Sequence, residues 1–477
     1  MDLRSHAAPD PAIPGPKGLP IVGAIPQMMS VGRFEYIAAC SRTYGDIFRL
    51  PLIHLPLVGR SPRLRRLLAL EKSPRDLIVT SNPEAIERVL LGNHENYIKG
   101  PNYDVVRALM GQGLVTSTGE LWHRQRRLLQ PAFRRPAIQD FLPTFERCTA
   151  DMLTTWERRA RSGVAFDVYR EMMDLARRII GLTMFGMDLG ESDNDSARAV
   201  TDSIDCLGRR MEGTFNLPLD VPTPDNLRFK RARATLDRIV YDIIERARRG
   251  QQDSDEPNIL KSMLEARDEV TGAGMSTEQI HDEVITLYIA GHETTALTLS
   301  WTLYFLSVYP AVRERVDAEI ASVPEHPGLD DLDRMTYTRM VIDEVLRLRP
   351  PAWALAREAV GDDELLGRRI PAGALVMFYI YGAHRHPAHW DGDVEAFDPE
   401  RFAPERAQRR HKFAYLPFSA GPRICIGKAF SIYETLLALS AILRRYRPVY
   451  AGNEPVRVNT VATIRPDGPV MMRLEPR

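Results

Sequence analysis

Apolar positions recur most regularly after Ser276, and the pattern predicts the chain's clearest helix there. Ser276 and Gln279 have the spacing of a capping box, and the run reaches about Tyr309 before Pro310. At ~1.5 Å per residue such a helix is about 50 Å long, enough to cross a whole domain. A second helix is predicted over residues 337 to 348, stopping before Pro350 and Pro351. From about residue 121 the pattern is mainly helical, with a proline-rich loop at residues 218 to 226 (PLDVPTPDN) between two helical stretches. Strands are predicted at residues 46 to 58 and 77 to 80, the second followed by Asn82 as N-cap and Pro83 at the first helical position. The segment RRIPAGALVMFYIYGAHR, residues 368 to 385, reads as a turn and strand at the edge of a second small sheet. Residues 1 to 25 form a Pro/Gly-rich lead-in expected to be extended. The fold class is mainly α with small β-sheets.

Composition narrows the picture little. The 477 residues are 44% hydrophobic and 26% charged, enough for a large core. Lys plus Arg and Asp plus Glu both number 63, so no net charge argues for nucleic acid as a partner. Cys40, Cys148, Cys206 and Cys425 are far apart and form no CxxC pair, against a structural zinc site or a disulfide scaffold. The N-terminus lacks the apolar core of a signal peptide and a transmembrane anchor, so a cytoplasmic protein is expected.

Chemistry enters at FSAGPRICIG, residues 418 to 427. Gly421 and Gly427 allow close backbone approach, Arg423 places a cation two residues before Cys425, and the apolar run beyond suggests a helix starting near the thiol. Alone, Cys425 reads better as a buried structural cysteine, and the surrounding residues reverse that reading. AGHETT, residues 290 to 295, lies mid-way along the long helix, where Gly291, Thr294 and Thr295 weaken the ladder and suggest a groove. Glu344 and Arg347 share a helix face, as do Trp122 and Arg126.

Together these segments resemble the cytochrome P450 family. Phe418, Gly421, Arg423, Cys425 and Gly427 match its FxxGxRxCxG loop, and residues 290 to 294 its [AG]GxET stretch. Glu344, Arg347 and Arg401 of PERF match its buried Glu–Arg–Arg network. The resemblance implies haem b with Cys425 as iron ligand, and Trp122, Arg126, Arg357, Phe418, Arg423 and Gly427 around the cofactor. It makes Thr294 and Glu293 the proton-handling pair for oxygen activation, and the Glu344 network structural. Since all motifs converge on one cofactor, residues 26 to 477 are expected to form a single haem domain of the soluble, bacterial type. The implied activity is a monooxygenase that hydroxylates a hydrophobic small molecule such as a fatty acid, terpenoid or steroid. It would use O2 and electrons from a separate ferredoxin or flavodoxin and reductase. Rivals are a peroxide-driven or isomerising enzyme of the same fold, and a non-catalytic haem sensor.

By the same resemblance the substrate pocket includes Leu109, Leu114, Leu287, Ala290, Gly291, Trp353 and Val461, an apolar wall. Arg124, Arg127, Arg409, Arg410, Lys412 and Lys428 are expected to form a positive face for an acidic redox partner. Residues 58 to 76 depart from the family with five arginines among leucines. A solvated loop or a membrane-surface contact would explain them.

Overall fold

The computed structural model describes residues 12–19, 22–52, 76–188, 206, 210, 219–251 and 256–477. The basic segment 58–76 falls almost wholly outside them, so neither reading of it meets a structure.

Seven helices carry the argument: α1 (Gly119–Leu129), α2 (Arg135–Ser162), α3 (Val168–Phe185), α4 (Pro224–Arg248), α5 (Thr277–Val308), α6 (Thr336–Leu348) and α7 (Lys428–Arg445). Helix α5 is the axis. Its capping box forms as expected, with Gln279 N donating to Ser276 Oγ and Ser276 N to Gln279 Oε1, and at about 48 Å it spans the molecule. Nearly every side chain from Val284 to Leu306 is buried, so α5 has no polar face and its neighbours enclose it. Each fully buried leucine or phenylalanine there contributes roughly 1.5–3 kcal/mol. Helices α3 and α5 approach closely at Gly291, where a Cβ would stand 2.6 Å from Ile180 Cδ1.

A five-stranded sheet lies beside this helical mass. In spatial order it runs β1 (Ile47–Pro51), β2 (Asp76–Thr80), β5 (Leu375–Phe378), β4 (Leu355–Ala359) and β3 (Tyr97–Ile98). Strands β2 and β5 are parallel, with Leu77 opposite Leu375 and Thr80 opposite Phe378; the other pairs are antiparallel. The expectation of an edge strand in a second sheet is thus corrected. Leu375–Phe378 is the middle strand of the first sheet, and its all-buried pattern fits that place. Only Arg368–Ile370 of that segment forms a separate two-stranded hairpin, with Asp363–Leu365.

Two further boundaries shift. The first strand ends at Pro51 rather than residue 58. The proline-rich loop stops at Thr223, whose side chain accepts from Asn226 N, and Pro224 opens α4, where a missing N–H costs nothing. Near the C-terminus, Val458–Asn459 pairs with Arg465–Pro466 as a short hairpin whose loop returns toward α5. Among the described residues no helix is long and apolar enough to cross a membrane.

Candidate active site

The Cys425 loop is shaped by backbone contacts. Gly421 adopts a left-handed φ of 69°, and a Cβ on it would strike the Leu90 carbonyl, so only glycine fits. Ile424 N donates to Gly421 O, and Cys425 N to Phe418 O at 2.9 Å. Helix α7 then starts at Lys428 with Gly427 as its N-cap, a turn beyond the thiol. Of the four cysteines, none in a disulfide, Cys425 alone is exposed. It is accessible through a hollow yet surrounded by protein, so two influences compete. Burial raises the thiol pKa, while the Gly427 amide, the Arg126 and Lys428 charges and the Lys428 amide favour the thiolate.

Four cations gather around this loop. Arg126 donates to Ile424 O at 3.0 Å, Arg423 to Ser117 O at 3.0 Å, and Arg357 to Ala356 O at 2.8 Å and Tyr103 Oη at 3.3 Å. The Arg423 guanidinium lies 4.3 Å from the Trp122 ring centre, and the Lys99 ammonium 4.1 Å from that of Tyr103. Among the described residues none of the four forms an ion pair. Burial, with the Arg357 and Arg423 charges, holds Lys99 well below its usual pKa. Such a set calls for an anion, and a haem with two carboxylates beside a thiolate ligand suits it in charge and donor type. Lys99 was not legible in the sequence, because only packing brings strand β3 to the arginines.

Across from the loop, Ala290 is exposed and Gly291 and Thr294 partly so, an open stripe on an otherwise buried α5. The helix does not open a groove there. Thr294 Oγ1 donates to Ala290 O at 2.7 Å, and α-helix continues unbroken. A hydroxyl contact from Thr295 Oγ1 to Ser431 Oγ, 3.1 Å, ties this turn to the start of α7. Glu293 is buried and points toward the C-terminal hairpin, accepting from Thr463 Oγ1 at 3.0 Å with Arg465 at 4.0 Å. His292 turns the other way, stacked on Tyr288; burial and the Arg177 charge lower its pKa to about 4, so it is neutral.

The expected pocket residues differ in their surroundings. Leu109 is fully covered, so it belongs to the core and not to a cavity wall. Trp353 is buried edge-on against Phe34 at 5.2 Å, on the sheet side. Gly291 serves the α3–α5 contact through its missing Cβ. Leu114 and Leu287 are at the buried limit, and Val461 is partly open. The loop carrying Leu114 is fastened to α5, with Gln112 N donating to Asp282 and Leu114 N to Glu283 at 3.0 Å. Burial pushes the Glu283 carboxyl up to about 8, opposed by the Leu114 amide. A cavity of about 620 Å³ touches Cys425, Met340, Phe402, Ile426 and Ile432 but draws no residue from α5. It lies on the α6–α7 side, apart from the Ala290–Thr294 stripe.

At the centre of the Glu344 network the Glu344–Arg347 pair is fully hydrogen-bonded. Arg347 grips both Glu344 oxygens, at 2.6 and 2.7 Å, and donates to the carbonyls of His384, Val394 and Ala396. Asp398 N also donates to Glu344, and Arg401 lies 3.6 Å from it while donating to the Asp391 and Asp393 carbonyls. His384, which sequence reasoning passed over, links the network to the chain leading into the cysteine loop. Its Nε2 accepts from Leu416 N at 2.8 Å and its Nδ1 contacts Arg347 O at 3.2 Å.

The family model described as cytochrome P450 matches residues 63–471. The chain belongs to the cytochrome P450 family. The P450 is 34% identical to cyclooctatin synthase of Streptomyces melanosporofaciens over 433 residues, covering 89% of this chain and 91% of that one. It is 30% identical to pentalenene oxygenase of Streptomyces avermitilis, covering 97% of each. The crystal structure of the cytochrome P450DA heme domain superposes with a TM-score of 0.83 at 26% identity, covering 98% of both chains. The P450 is accordingly a haem-thiolate monooxygenase acting on a hydrophobic substrate.

Proposed function

We propose that this P450 hydroxylates a terpenoid-like hydrocarbon with O2, using electrons from a separate acidic ferredoxin or flavodoxin and its reductase. The substrate class is supported by bacterial terpenoid-oxygenase relatives at 30–34% identity. The observation that carries the chemistry is an accessible thiol at the threshold of α7, ringed by four cations without carboxylate partners among the described residues.

In this reading Cys425 holds the iron, while Lys99, Arg126, Arg357 and Arg423 hold the haem carboxylates, with Trp122 beneath Arg423. When bound, the haem supplies oxygen activation, and cytochromes P450 are themselves the known case in which the thiolate favours O–O cleavage. Thr294 offers a hydroxyl at the open face of α5, and Glu293 behind it carries protons inward. Leu114, Leu287, Ala290 and Val461 form the apolar wall that excludes water.

The partner face is smaller than six cations. Arg127 is paired with Asp268, Arg124 donates to the Ala273 and Gly274 carbonyls, and Arg410 lies over Trp390 at 4.0 Å. Arg409, Lys412 and Lys428 are exposed, with no ion pair among the described residues, and they are the contacts for an acidic partner.

The reduced carbon-monoxide difference spectrum tests the centre. A strongly red-shifted Soret band that Cys425→Ser abolishes is expected, followed by oxygen-dependent alcohol formation from cyclic terpenes. A band of the histidine-ligated type would overturn the reading, and faster turnover with peroxide alone would replace it by a peroxide-driven one.

A further inference from the structure

We propose that Thr463 and Arg465 are positioning residues for Glu293, and that the C-terminal hairpin is the solvent-side entrance for the protons consumed in oxygen reduction. The inference rests on the role given above to Glu293 and Thr294.

Successive residues on a helix point about 100° apart. Thr294 faces the open stripe, so Glu293 faces away from it, toward the hairpin. There Glu293 Oε1 accepts from Thr463 Oγ1 at 3.0 Å and has the Arg465 guanidinium at 4.0 Å. Exposure falls along this line: the Arg465 side chain is 27% exposed and that of Glu293 7%. The buried carboxyl thus touches a solvent-reaching cation on the hairpin side and sits one residue along α5 from the Thr294 hydroxyl of the open stripe.

The hairpin is firmly placed. Between the two residues, Ile464 N donates to Pro351 O at 3.1 Å and Ile464 O accepts from Trp301 Nε1 at 3.3 Å. Trp301 sits on α5 itself, two turns beyond Glu293, so hairpin and carboxyl share one support. With its neighbour pinned on both sides, Thr463 dictates which oxygen and which rotamer Glu293 presents. Without that hold the carboxyl is free to take other rotamers and loses the single orientation from which it hands protons on.

The consequence appears in how electrons are used. Hydroxylation takes the hydrocarbon, one O2, two electrons from the protein partner and two protons, and yields alcohol and water. When protons arrive out of place, O2 leaves with two electrons and two protons as hydrogen peroxide, and the hydrocarbon is unchanged.

The test uses the full haem-loaded chain, compared at equal thiolate content by the reduced carbon-monoxide spectrum. The infrared carboxyl band of Glu293 is first located as the band lost in Glu293→Gln. Thr463→Val and Arg465→Met are expected to shift that band. They should also raise the ratio of peroxide to alcohol on the order of tenfold, as loss of a charge-assisted hydrogen bond would. Thr463→Ser should restore both. An unmoved band in Thr463→Val and Arg465→Met overturns the proposal, even if the ratio changes, because the effect would then come from pocket shape. Should Glu293→Gln leave the ratio unaltered, the carrier role in the proposed function falls, and the band shift alone decides whether the hairpin positions the carboxyl.

Discussion

Arg347 and Arg423 both lie in buried surroundings near the cysteine loop, yet their charges are met in opposite ways. Arg347 spends its donors on a bidentate carboxylate and three carbonyls, with Glu344 and Arg401 equally enclosed. Arg423 has one carbonyl and an aromatic face, and its pKa is lowered to about 10 by burial and by the Arg357 charge. The Arg347 charge is met in full within the protein. The cluster around Arg423 is a set of basic groups held together against their own repulsion, which an added anion relieves. A closed network therefore stabilises the fold, whereas an open one lowers its stability in return for affinity.

The comparison is broken most directly at Arg347. Arg347→Ala strips the buried Glu344 of its bidentate partner, leaving only Arg401 at 3.6 Å, and should cost about 3–5 kcal/mol; urea unfolding that matched wild type would refute the closed network. Lys99→Met and Arg423→Met should act with opposite sign in the two forms. The haem-free protein should melt at an equal or higher temperature, while haem transfers faster to a scavenging protein, by the roughly 1.5–3 kcal/mol of a charge-assisted bond. Loss of stability in the haem-free form would show those cations to be internally satisfied.

Glu283 is intermediate, a buried carboxyl with one amide donor. Folded, it keeps its proton up to about pH 8, against a usual value of 4.5. Its contribution to stability is thus full below about pH 4.5 and is lost as pH rises through about 8. Relative to Glu283→Gln, the wild type should weaken by about 1 kcal/mol per pH unit within that window; parallel melting curves across it would remove the assignment. Smallest of all, salt should slow reduction by the partner a few-fold, through Arg409, Lys412 and Lys428. Rates unaffected by ionic strength would rule out that face.

Features set by neighbours in the chain were legible beforehand. The Ser276–Gln279 cap, the stop before Pro350 and the spacing from Phe418 to Gly427 are all local, and local geometry follows from residue order. What could not be read is what distant packing decides. Lys99 reaches the arginines through a two-residue strand, Leu375–Phe378 becomes central only because Asp76–Thr80 lies beside it, and Thr463 meets Glu293 across a hairpin. The same cause bears on the pocket: Leu109, Gly291 and Trp353 sit in apolar runs, and the side each run presents depends on α3, Phe34 and the sheet.

Gly421 sits against the carbonyl of Leu90, in the short π-helical turn Arg88–Gly92. The shape of the cysteine loop is therefore borrowed from a segment far away in the sequence. Contacts between such distant segments form late, because the entropy of closing the intervening chain must be overcome before they are rewarded. The setting of the thiol is in this sense a long-range property, since the loop takes its shape only where the Leu90 turn and the Gly421 turn have met.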